Sequence, residues 1–279
     1  MFEIGIIDKR ELFKTFYLER LTLNEENIQL ISQFKATDEG KNLETYLKDK
    51  AWEADLEGES RVYLVKDESD SIALFFSLKC GLLYKKYQYD ELDEEKREFV
   101  DVLIDAIQNG DDELLTEYYT SELCTESEMD QLFDIAYSRL ELRMEEQVLQ
   151  DGNYTLKVEE SYSAIEIQHF CKNSLYNLQD REGISLGFGV FWELIVPLIC
   201  EITERVGCKY IYLFAADQTD DEEVRRLVQY YKNELKFTDV EDMMLIKPYY
   251  DTDCLGLIQS VSDLHYHREA VWEEFADVG

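Results

Sequence analysis

Apolar residues recur along this chain with two periods, and their order predicts a mixed α/β fold. Short runs rich in β-branched and aromatic residues are typical of strands, whereas recurrence at every third and fourth position is typical of amphipathic helices. The runs predict strands at 61–66, 71–80, 164–171 and 209–214. The recurrences predict helices at 24–34, 99–109, 130–147, 190–206, 227–237 and 269–275.

Two glycines, Gly187 and Gly189, lie between a predicted strand and a long predicted helix. Glycine lets backbone N–H groups approach an anion closely, and the N-terminus of a helix favours negative charge. The turn is therefore a candidate phosphate site. A tight turn that binds nothing needs the same residues, and this alternative stays open.

The segment 88–157 separates two predicted strands, and its own pattern is helical. Asn109-Gly110 predicts the end of one of its helices, because glycine commonly follows a helix C-terminus. We expect one domain, 1–279, in which 88–157 is a helical insertion and 251–279 is a C-terminal extension. The insertion can cap a functional site, form the face of a homodimer, or pack on the sheet as amphipathic helices usually do.

The order strand, glycine turn, long helix, strand and helix between Ser161 and Phe237 resembles the GCN5-related N-acetyltransferase (GNAT) superfamily. The upstream order, from Gln33 to Leu78, is similar to the branch that includes bacterial acetyltransferase toxins. The two stretches cover 30–85 and 160–250. The resemblance implies an α/β fold with a GNAT-like central mixed β-sheet flanked by helices, into which the helical segment is inserted. It also implies acetyl-CoA as the acyl donor, without a metal.

The family signature for the phosphate turn is Gln/Arg-x-x-Gly-x-Gly/Ala. Both glycines match it, Ile184 stands at the Gln/Arg position, and Arg181 lies three residues earlier. By the resemblance, the backbone of the turn and of the strand before it contacts the cofactor, whose pantetheine arm pairs with the strand edge. The cofactor-binding residues predicted in this way are Phe170, Cys171, Leu186, Gly187, Phe188, Gly189 and Val190.

Acetyl transfer to an amine needs a base, because a free lysine amine has a pKa of about 10.4. The resemblance assigns this role to Glu166, acting through water, and His169 is the alternative base. The alternatives without a catalytic role are that Glu166 is a solvent-facing strand residue and that His169 is a core residue. Strand alternation predicts that Glu166 shares one face with Gln168 and Phe170, and that His169 shares the other with Ile165 and Ile167.

The departing thiolate needs a proton donor. Many family members place a tyrosine on the last helix for this purpose, and the resemblance assigns the role to Tyr231, with Tyr230 as the second choice. Adjacent helical residues point about 100° apart, so only one of the two can face the thioester. Lys236 replaces the glycine that usually precedes the position of Phe237.

The chain carries 62 acidic and 28 basic side chains, a net charge of −34. Such a field repels phosphate backbones, so nucleic acid is a disfavoured partner. A cationic acceptor is favoured: a protein lysine or N-terminus, a polyamine or a small amine. The alternative is that the acidity serves solubility alone.

Six cysteines include no C-x-x-C pair, and three histidines are present, so a zinc site is not expected. The chain contains no run of about 18 apolar residues, so we expect no membrane span. The start of the chain lacks the basic residues of a signal peptide. We expect a cytoplasmic protein.

These observations predict an N-acetyltransferase that transfers an acetyl group from acetyl-CoA to a primary amine of a cationic acceptor. Two alternatives remain. One is an inactive, acidic GNAT-like module that binds a basic protein partner. The other is a toxin that acetylates aminoacyl-tRNA, which the charge balance disfavours.

Overall fold

A computed structural model of the chain describes residues 9–85, 92–119, 125–148, 160–177, 185–215, 221–240, 243–245 and 254–276. The chain divides into two compact units. The first combines 1–83 with 161–279, and the second is 84–160.

The described part of the first unit contains the sheet and most of the helices. Its strands are β1 (Tyr17–Arg20), β2 (Arg61–Lys66), β3 (Ile72–Lys85, which runs on into the second unit), β4 (Ser161–Lys172), β5 (Tyr210–Ala215), β6 (Thr238–Asp239), β7 (Met243–Leu245) and β8 (Leu255–Ser260). Its helices are α1 (Glu26–Ser32), α2 (Lys41–Asp49), α3 (Ala51–Glu57), α7 (Leu186–Arg205), α8 (Asp221–Asn233) and α9 (Val261–Ala276), with a 3₁₀ helix at Lys9–Thr15.

The second unit is helical, with α4 (Glu94–Asn109), α5 (Asp112–Tyr119) and α6 (Glu126–Val148). Asp93 caps α4 by accepting a hydrogen bond from the Lys96 N–H at 2.8 Å, as acidic N-cap residues do. Gly110 ends the helix with φ 67°, a conformation that glycine adopts without strain. The predicted end at Asn109-Gly110 is confirmed.

The strands are ordered β1-β2-β3-β4-β5-β8-β6, and β7 pairs with β3. The pair β4–β5 is parallel, whereas β1–β2, β2–β3, β5–β8 and β6–β8 are antiparallel. The sheet is therefore mixed, and the predicted fold class is confirmed: a central mixed sheet flanked by helices, with a helical insertion.

Helices cover both faces of this sheet. On one face, α7 buries Phe188, Trp192 and Ile195 against strand residues such as Phe76 and Ile165. On the other face, α1 and α2 and the segments around them pack Ile31, Phe34 and Leu47 against Leu64 and Phe75. Each such side chain contributes about 1.5–3 kcal/mol when it leaves water, so the two layers hold the sheet in place.

Helix α7 contains a π-helical turn at Phe191–Ile195, in which the Val196 N–H donates to the Phe191 carbonyl. Pro197 follows immediately and has no N–H to continue an α-helical ladder, which accounts for the irregularity at this point. The helix is long and apolar enough to meet the length and composition of a membrane span. Its apolar residues pack against the sheet.

Glu193 on α7 joins the two ends of the first unit. Its carboxylate accepts hydrogen bonds from Arg10 Nε at 2.8 Å, Arg268 Nη2 at 2.8 Å and Trp272 Nε1 at 2.7 Å. The donors come from the 3₁₀ helix Lys9–Thr15 and from α9. A carboxylate that is nearly buried and paired in this way fixes two elements, the 3₁₀ helix and α9, against α7.

The predicted helix 190–206 begins earlier than expected. Leu186–Val190 is already helical, with Ser185 as its N-cap, so the glycine pair lies in the first turn of the helix and not before it. The helix ends at Arg205, and Val206 is extended. The 3₁₀ helix Lys9–Thr15 and strand β1 were not predicted.

Candidate functional site

Strands β4 and β5 diverge near their carboxyl ends. They pair from Ala164 with Tyr210 to Glu166 with Tyr212. Beyond that point β4 continues to Lys172 without further pairing to β5, whose other edge pairs with β8 from Tyr210 to Ala215. Among the described residues, the facing edges of the two strands therefore carry unpaired backbone groups, and Glu166 lies where the gap begins. An edge of this kind accepts an extended ligand as an added strand.

The side chains of β4 do not alternate throughout its length. Ile165, Ile167 and Phe170 all contact the cluster on the α7 side, although Phe170 lies three residues after Ile167. Cys171 packs with the opposite cluster, and His169 contacts Tyr46 of α2 on that side. The prediction that His169 shares a face with Ile165 and Ile167 is wrong, because an extra residue in the strand, as in a β-bulge, shifts the alternation.

The beginning of α7 lies beside Phe170, and its N–H groups can be assigned one by one. The Phe188 N–H donates to Ser185 Oγ at 3.1 Å, and the Gly189 N–H donates to the Ser185 carbonyl at 3.2 Å. The N–H groups of Leu186 and Gly187 have no partner among the described residues. The first N–H groups of a helix are the ones that bind anions, so these two are available for a phosphate.

The two glycines are also required by the packing of this chain. A Cβ atom on Gly187 would lie 2.8 Å from the Tyr230 hydroxyl oxygen and 3.6 Å from Phe170 Cζ. A Cβ atom on Gly189 would fall within the ring of Phe13, which is buried. The glycine pattern therefore has a structural cause in addition to any role with a ligand.

Tyr231 and Tyr230 occupy different positions on α8. Tyr231 is buried, and burial raises its pKa above the usual 10, with Tyr230 and Cys171 adding to the shift. Burial raises the pKa of Tyr230 to about 12, and its hydroxyl is within hydrogen-bonding reach of Ser185. Both phenols therefore keep their protons at neutral pH. Tyr231 is packed in the core on the α7 side, where its ring contacts Tyr230 and Phe237, and Tyr230 lies at the first turn of α7.

Glu166 is buried at the start of the gap, on the face away from α7. The Tyr212 hydroxyl donates to its carboxylate at 3.4 Å. Burial raises the pKa of Glu166 above 4.5, while the charge of Lys79 and the hydrogen bond from Tyr212 act in the opposite direction. A carboxylate with a raised pKa is a better base, which suits proton transfer from an amine.

His169 is held by two contacts on the same face. Its Nδ1 atom lies 2.7 Å from Ser77 Oγ, and its ring stacks on Tyr46 with centroids 3.7 Å apart. Burial, helped by the charge of Lys79, lowers its pKa to about 4. A histidine that is neutral at pH 7 with one nitrogen occupied is suited to fixed hydrogen bonding and is a weak base.

Cys171 is not a candidate nucleophile. Burial and the nearby Glu44 raise the pKa of its thiol to about 12, and only a thiolate is reactive. Glu44 itself accepts from Lys48 at 2.8 Å, the Ala36 N–H at 3.0 Å and Lys41 at 3.0 Å, and these hydrogen bonds hold its pKa far below the usual range. Lys35 lies 3.5 Å from the same carboxylate. The lysine charges beside the gap are therefore partly compensated.

No family model matches the chain, and no curated protein matches it. Solved structures with a similar chain course include AtaTR bound with AcCoA, at 9% identity and a TM-score of 0.47 over 91% of this chain and 98% of that one. A point mutant of KacT has 9% identity and a TM-score of 0.46 over 91% and 99%. AtaT complexed with acetyl-methionyl-tRNAfMet has 8% identity and a TM-score of 0.44 over 90% and 98%. At these identities and TM-scores the similarity supports no functional argument, so the function has to be inferred from this chain's own residues.

The predicted site residues divide into three groups in the structure. Glu166, Phe170 and Cys171 lie on β4 along the gap, Leu186 and Gly187 begin α7 beside Phe170, and Tyr231 is buried on α8. Phe188, Gly189 and Val190 have side chains or N–H groups committed to the core and to the helix. Arg181 and Ile184 lie outside the described residues. Among the described residues, no group of three or more His, Cys, Asp or Glu side chains could hold a metal ion.

Several residues at the gap were not predicted from the sequence: Ser185, Tyr212, Ser77, Tyr46 and Lys79. Ser185 carries a signal that was available, because serine before a helical run is a preferred N-cap. The others come together only through strand register and through the packing of α2, which no local pattern reports.

Proposed function

We propose that the protein is a GNAT-type N-acetyltransferase that transfers the acetyl group of acetyl-CoA to a primary amine. The observation that carries this proposal is the gap between β4 and β5, with two N–H groups available at the start of α7 beside it. The strand edges suit the amide groups of an extended pantetheine arm, and the N–H groups of Leu186 and Gly187 suit a phosphate. Bound acetyl-CoA supplies an activated acyl group.

The residues at the gap have the protonation states that the reaction needs. Glu166 takes the proton that the ammonium group of the acceptor loses, directly or through a water molecule. The amine nitrogen then bonds to the acetyl carbon, the bond between that carbon and sulfur breaks, and the nitrogen releases its second proton to solvent, which leaves the amide. Tyr231 donates a proton to the sulfur. Like any tyrosine it is protonated at neutral pH, and the burial that raises its pKa makes this transfer less favourable than from an ordinary tyrosine. Solvent restores both groups.

Tyr230 is the second candidate for the acid. Its hydroxyl is beside Gly187 and Ser185, which favours a contact with the phosphate or the pantetheine arm over proton transfer to sulfur. The two roles are separable, because Tyr230→Phe should weaken cofactor binding while Tyr231→Phe should lower kcat. The acceptor class remains the expectation from net charge, a cationic amine, and we expect action in the cytoplasm, as a monomer or homodimer.

The two alternatives make different demands on the same residues. The first N–H groups of every helix lack intrahelical partners, so those of Leu186 and Gly187 suit a phosphate without separating an enzyme from an inactive module, and binding of acetyl-CoA is the property that distinguishes the two. A toxin acting on aminoacyl-tRNA would need basic residues that are not compensated by acidic ones. Lys35, Lys41 and Lys48 share the single carboxylate of Glu44, which leaves two of their charges uncompensated by it, so the net charge of −34 and not this cluster disfavours the toxin.

Calorimetric titration with acetyl-CoA tests the proposal, with variants at Leu186 as the probe. Proline is tolerated at the first position of a helix and removes its N–H, and Ser185 is already extended, as a residue before proline must be. Leu186→Pro therefore removes one proposed phosphate donor. Leu186→Ala loses the same buried side chain and keeps the N–H, which makes it the matched control.

We expect micromolar binding by the wild type, weaker binding by Leu186→Pro, and intermediate or unchanged binding by Leu186→Ala. Equal affinities of the two variants would contradict the assigned donor. An absence of binding to the folded wild-type protein would exclude the enzyme and favour the binding module. A substitution at Gly189 is unsuitable as a probe, because it displaces Phe13 from the core.

A further inference from the structure

One row of side chains on β3 crosses the face of the sheet that holds Glu166. Ser77 is in contact with His169, and Gly81 lies against the ring of Tyr212, whose hydroxyl binds Glu166. Residues two apart on a strand share a face. Lys79 therefore lies between these two contacts, on the face where the acceptor has to reach Glu166.

Lys79 is exposed, and no hydrogen bond or ion pair joins it to any residue that the structure describes. Its charge is nevertheless close enough to lower the pKa of both Glu166 and His169. In a chain with 62 acidic side chains, a cation beside a buried carboxylic acid and without an ion-pair partner among the described residues is available to bind an anion.

We propose that Lys79 binds a carboxylate of the acceptor, so that the acceptor is a small zwitterionic amine of the amino-acid type. This inference rests on the proposed acetyl transfer and changes the expected acceptor class. The ammonium group of such a molecule would lie towards Glu166 and its carboxylate towards Lys79. A polyamine or a lysine side chain would place only positive charge in front of Lys79.

The net charge of −34 does not oppose this assignment. At physiological ionic strength, fields from exposed charges are screened over about 8 Å, so groups in direct contact with the acceptor dominate its binding. A zwitterion has no net charge and is not repelled at longer range. A hydrogen-bonded ion pair at the edge of a partly buried site is worth about tenfold or more in affinity.

Matched acceptors test the charge requirement. Glycine, β-alanine and 4-aminobutyrate each carry a carboxylate, and methylamine, ethylamine and propylamine are their respective counterparts without one. Phosphoethanolamine against ethanolamine distinguishes a phosphate from a carboxylate. We expect kcat/KM for at least one of the amino acids to exceed that of its counterpart about tenfold. Equal values for all pairs, or a preference for polyamines, would overturn the inference and leave acetyl transfer intact.

Variants at Lys79 test the residue. Lys79→Met keeps an unbranched side chain that is one atom shorter and removes its charge, and Lys79→Arg keeps the charge as the control. We expect Lys79→Met to raise KM for the amino acid about tenfold, with little change for the uncharged amine and with wild-type affinity for acetyl-CoA. Lys79→Arg should retain the preference.

A binding measurement makes the test independent of turnover. The acetylated amino acid, N-acetyl-β-alanine, is titrated in the presence of coenzyme A into the wild type and into Lys79→Met. Weaker binding to the variant supports the assignment. The same dissociation constant for both proteins, or no binding to either, overturns it. Absent binding of coenzyme A in the preceding titration of the protein with coenzyme A alone would instead contradict the proposed function.

Discussion

Gly187 and Tyr230 give a test of why the first turn of α7 contains glycine. A Cβ atom at Gly187 would lie 2.8 Å from the Tyr230 hydroxyl oxygen and at ordinary van der Waals distances, 3.6 and 3.7 Å, from the ring of Phe170. The hydroxyl is thus the obstacle, and the ring is not. Gly187→Ala alone must move that hydroxyl by about 0.6 Å, and Tyr230→Phe removes the obstacle.

Two opposing contributions to the free energy of unfolding act in Gly187→Ala. Overpacking costs about 1–3 kcal/mol, whereas alanine is favoured over glycine in a helix by up to about 1 kcal/mol. We expect Gly187→Ala to lower the free energy of unfolding by about 0–2 kcal/mol in the wild type. In the Tyr230→Phe background the same change should raise it by up to about 1 kcal/mol. The coupling free energy is therefore about 1–3 kcal/mol.

Urea unfolding of the four proteins at one temperature measures this coupling directly. Equal m-values across the set are the control for an unchanged unfolded state. If Gly187→Ala has the same effect in both backgrounds within about 0.5 kcal/mol, the hydroxyl is not the constraint, and the packing argument is refuted.

The double variant also separates packing from ligand binding. If it is as stable as the wild type and binds acetyl-CoA with the affinity of Tyr230→Phe, glycine is present at position 187 for the tyrosine. If it is stable and binds acetyl-CoA much more weakly than Tyr230→Phe, the bare backbone at Gly187 is needed for the close approach of the phosphate.

Three further changes test other parts of the first unit. Gly189→Ala should lower the free energy of unfolding by about 3 kcal/mol, because the new methyl group overlaps the buried ring of Phe13. A higher free energy of unfolding in urea titration would contradict this contact. Lys236 has φ 60°, so Lys236→Gly should raise the thermal midpoint, with a gain of about 0.5–1 kcal/mol from relief of the left-handed conformation. The rate of acetyl transfer should rise with pH as Glu166 loses its proton, with an apparent pKa above 4.5, and this limb of the pH–rate profile should be absent in Glu166→Gln. Persistence of the limb in that variant would assign the base to another group.

Local sequence patterns were sufficient to predict the features of the structure that depend on residues close together in the chain. The predicted strands 61–66 and 71–80 leave a turn of four polar residues, 67–70, between β2 and β3. In the structure the Asp67 carboxylate accepts from the N–H groups of Ser69 and Ser71 at 2.9 and 3.0 Å, and Asp70 has φ 63°. Aspartate and serine form such turns with their own backbone, so the sequence carries the information.

Tertiary contacts decided the features that were missed. The stretch Lys9–Thr15 is short and polar, yet Phe13 from this stretch packs on Gly189 far along the chain. The strand containing Glu166 was located correctly, but an irregularity before Phe170 reversed the faces beyond it, and strand alternation cannot report an inserted residue. The position of Lys79 beside Glu166 follows only from the contacts between its strand and the neighbouring strands, which no local sequence pattern reports.

The insertion between β3 and β4 also has a consequence for synthesis on the ribosome. Strand β3 ends at Lys85 and β4 begins at Ser161, so about 75 residues must be translated before β3 meets this partner, which takes roughly 4–15 s at typical elongation rates. During that interval the apolar stretch from Ala73 to Leu78 has β2 on one edge only. The helices of the second unit are made of nearby residues and can form first. The order of synthesis therefore favours an early hairpin and an early helical unit, with the functional gap completed last.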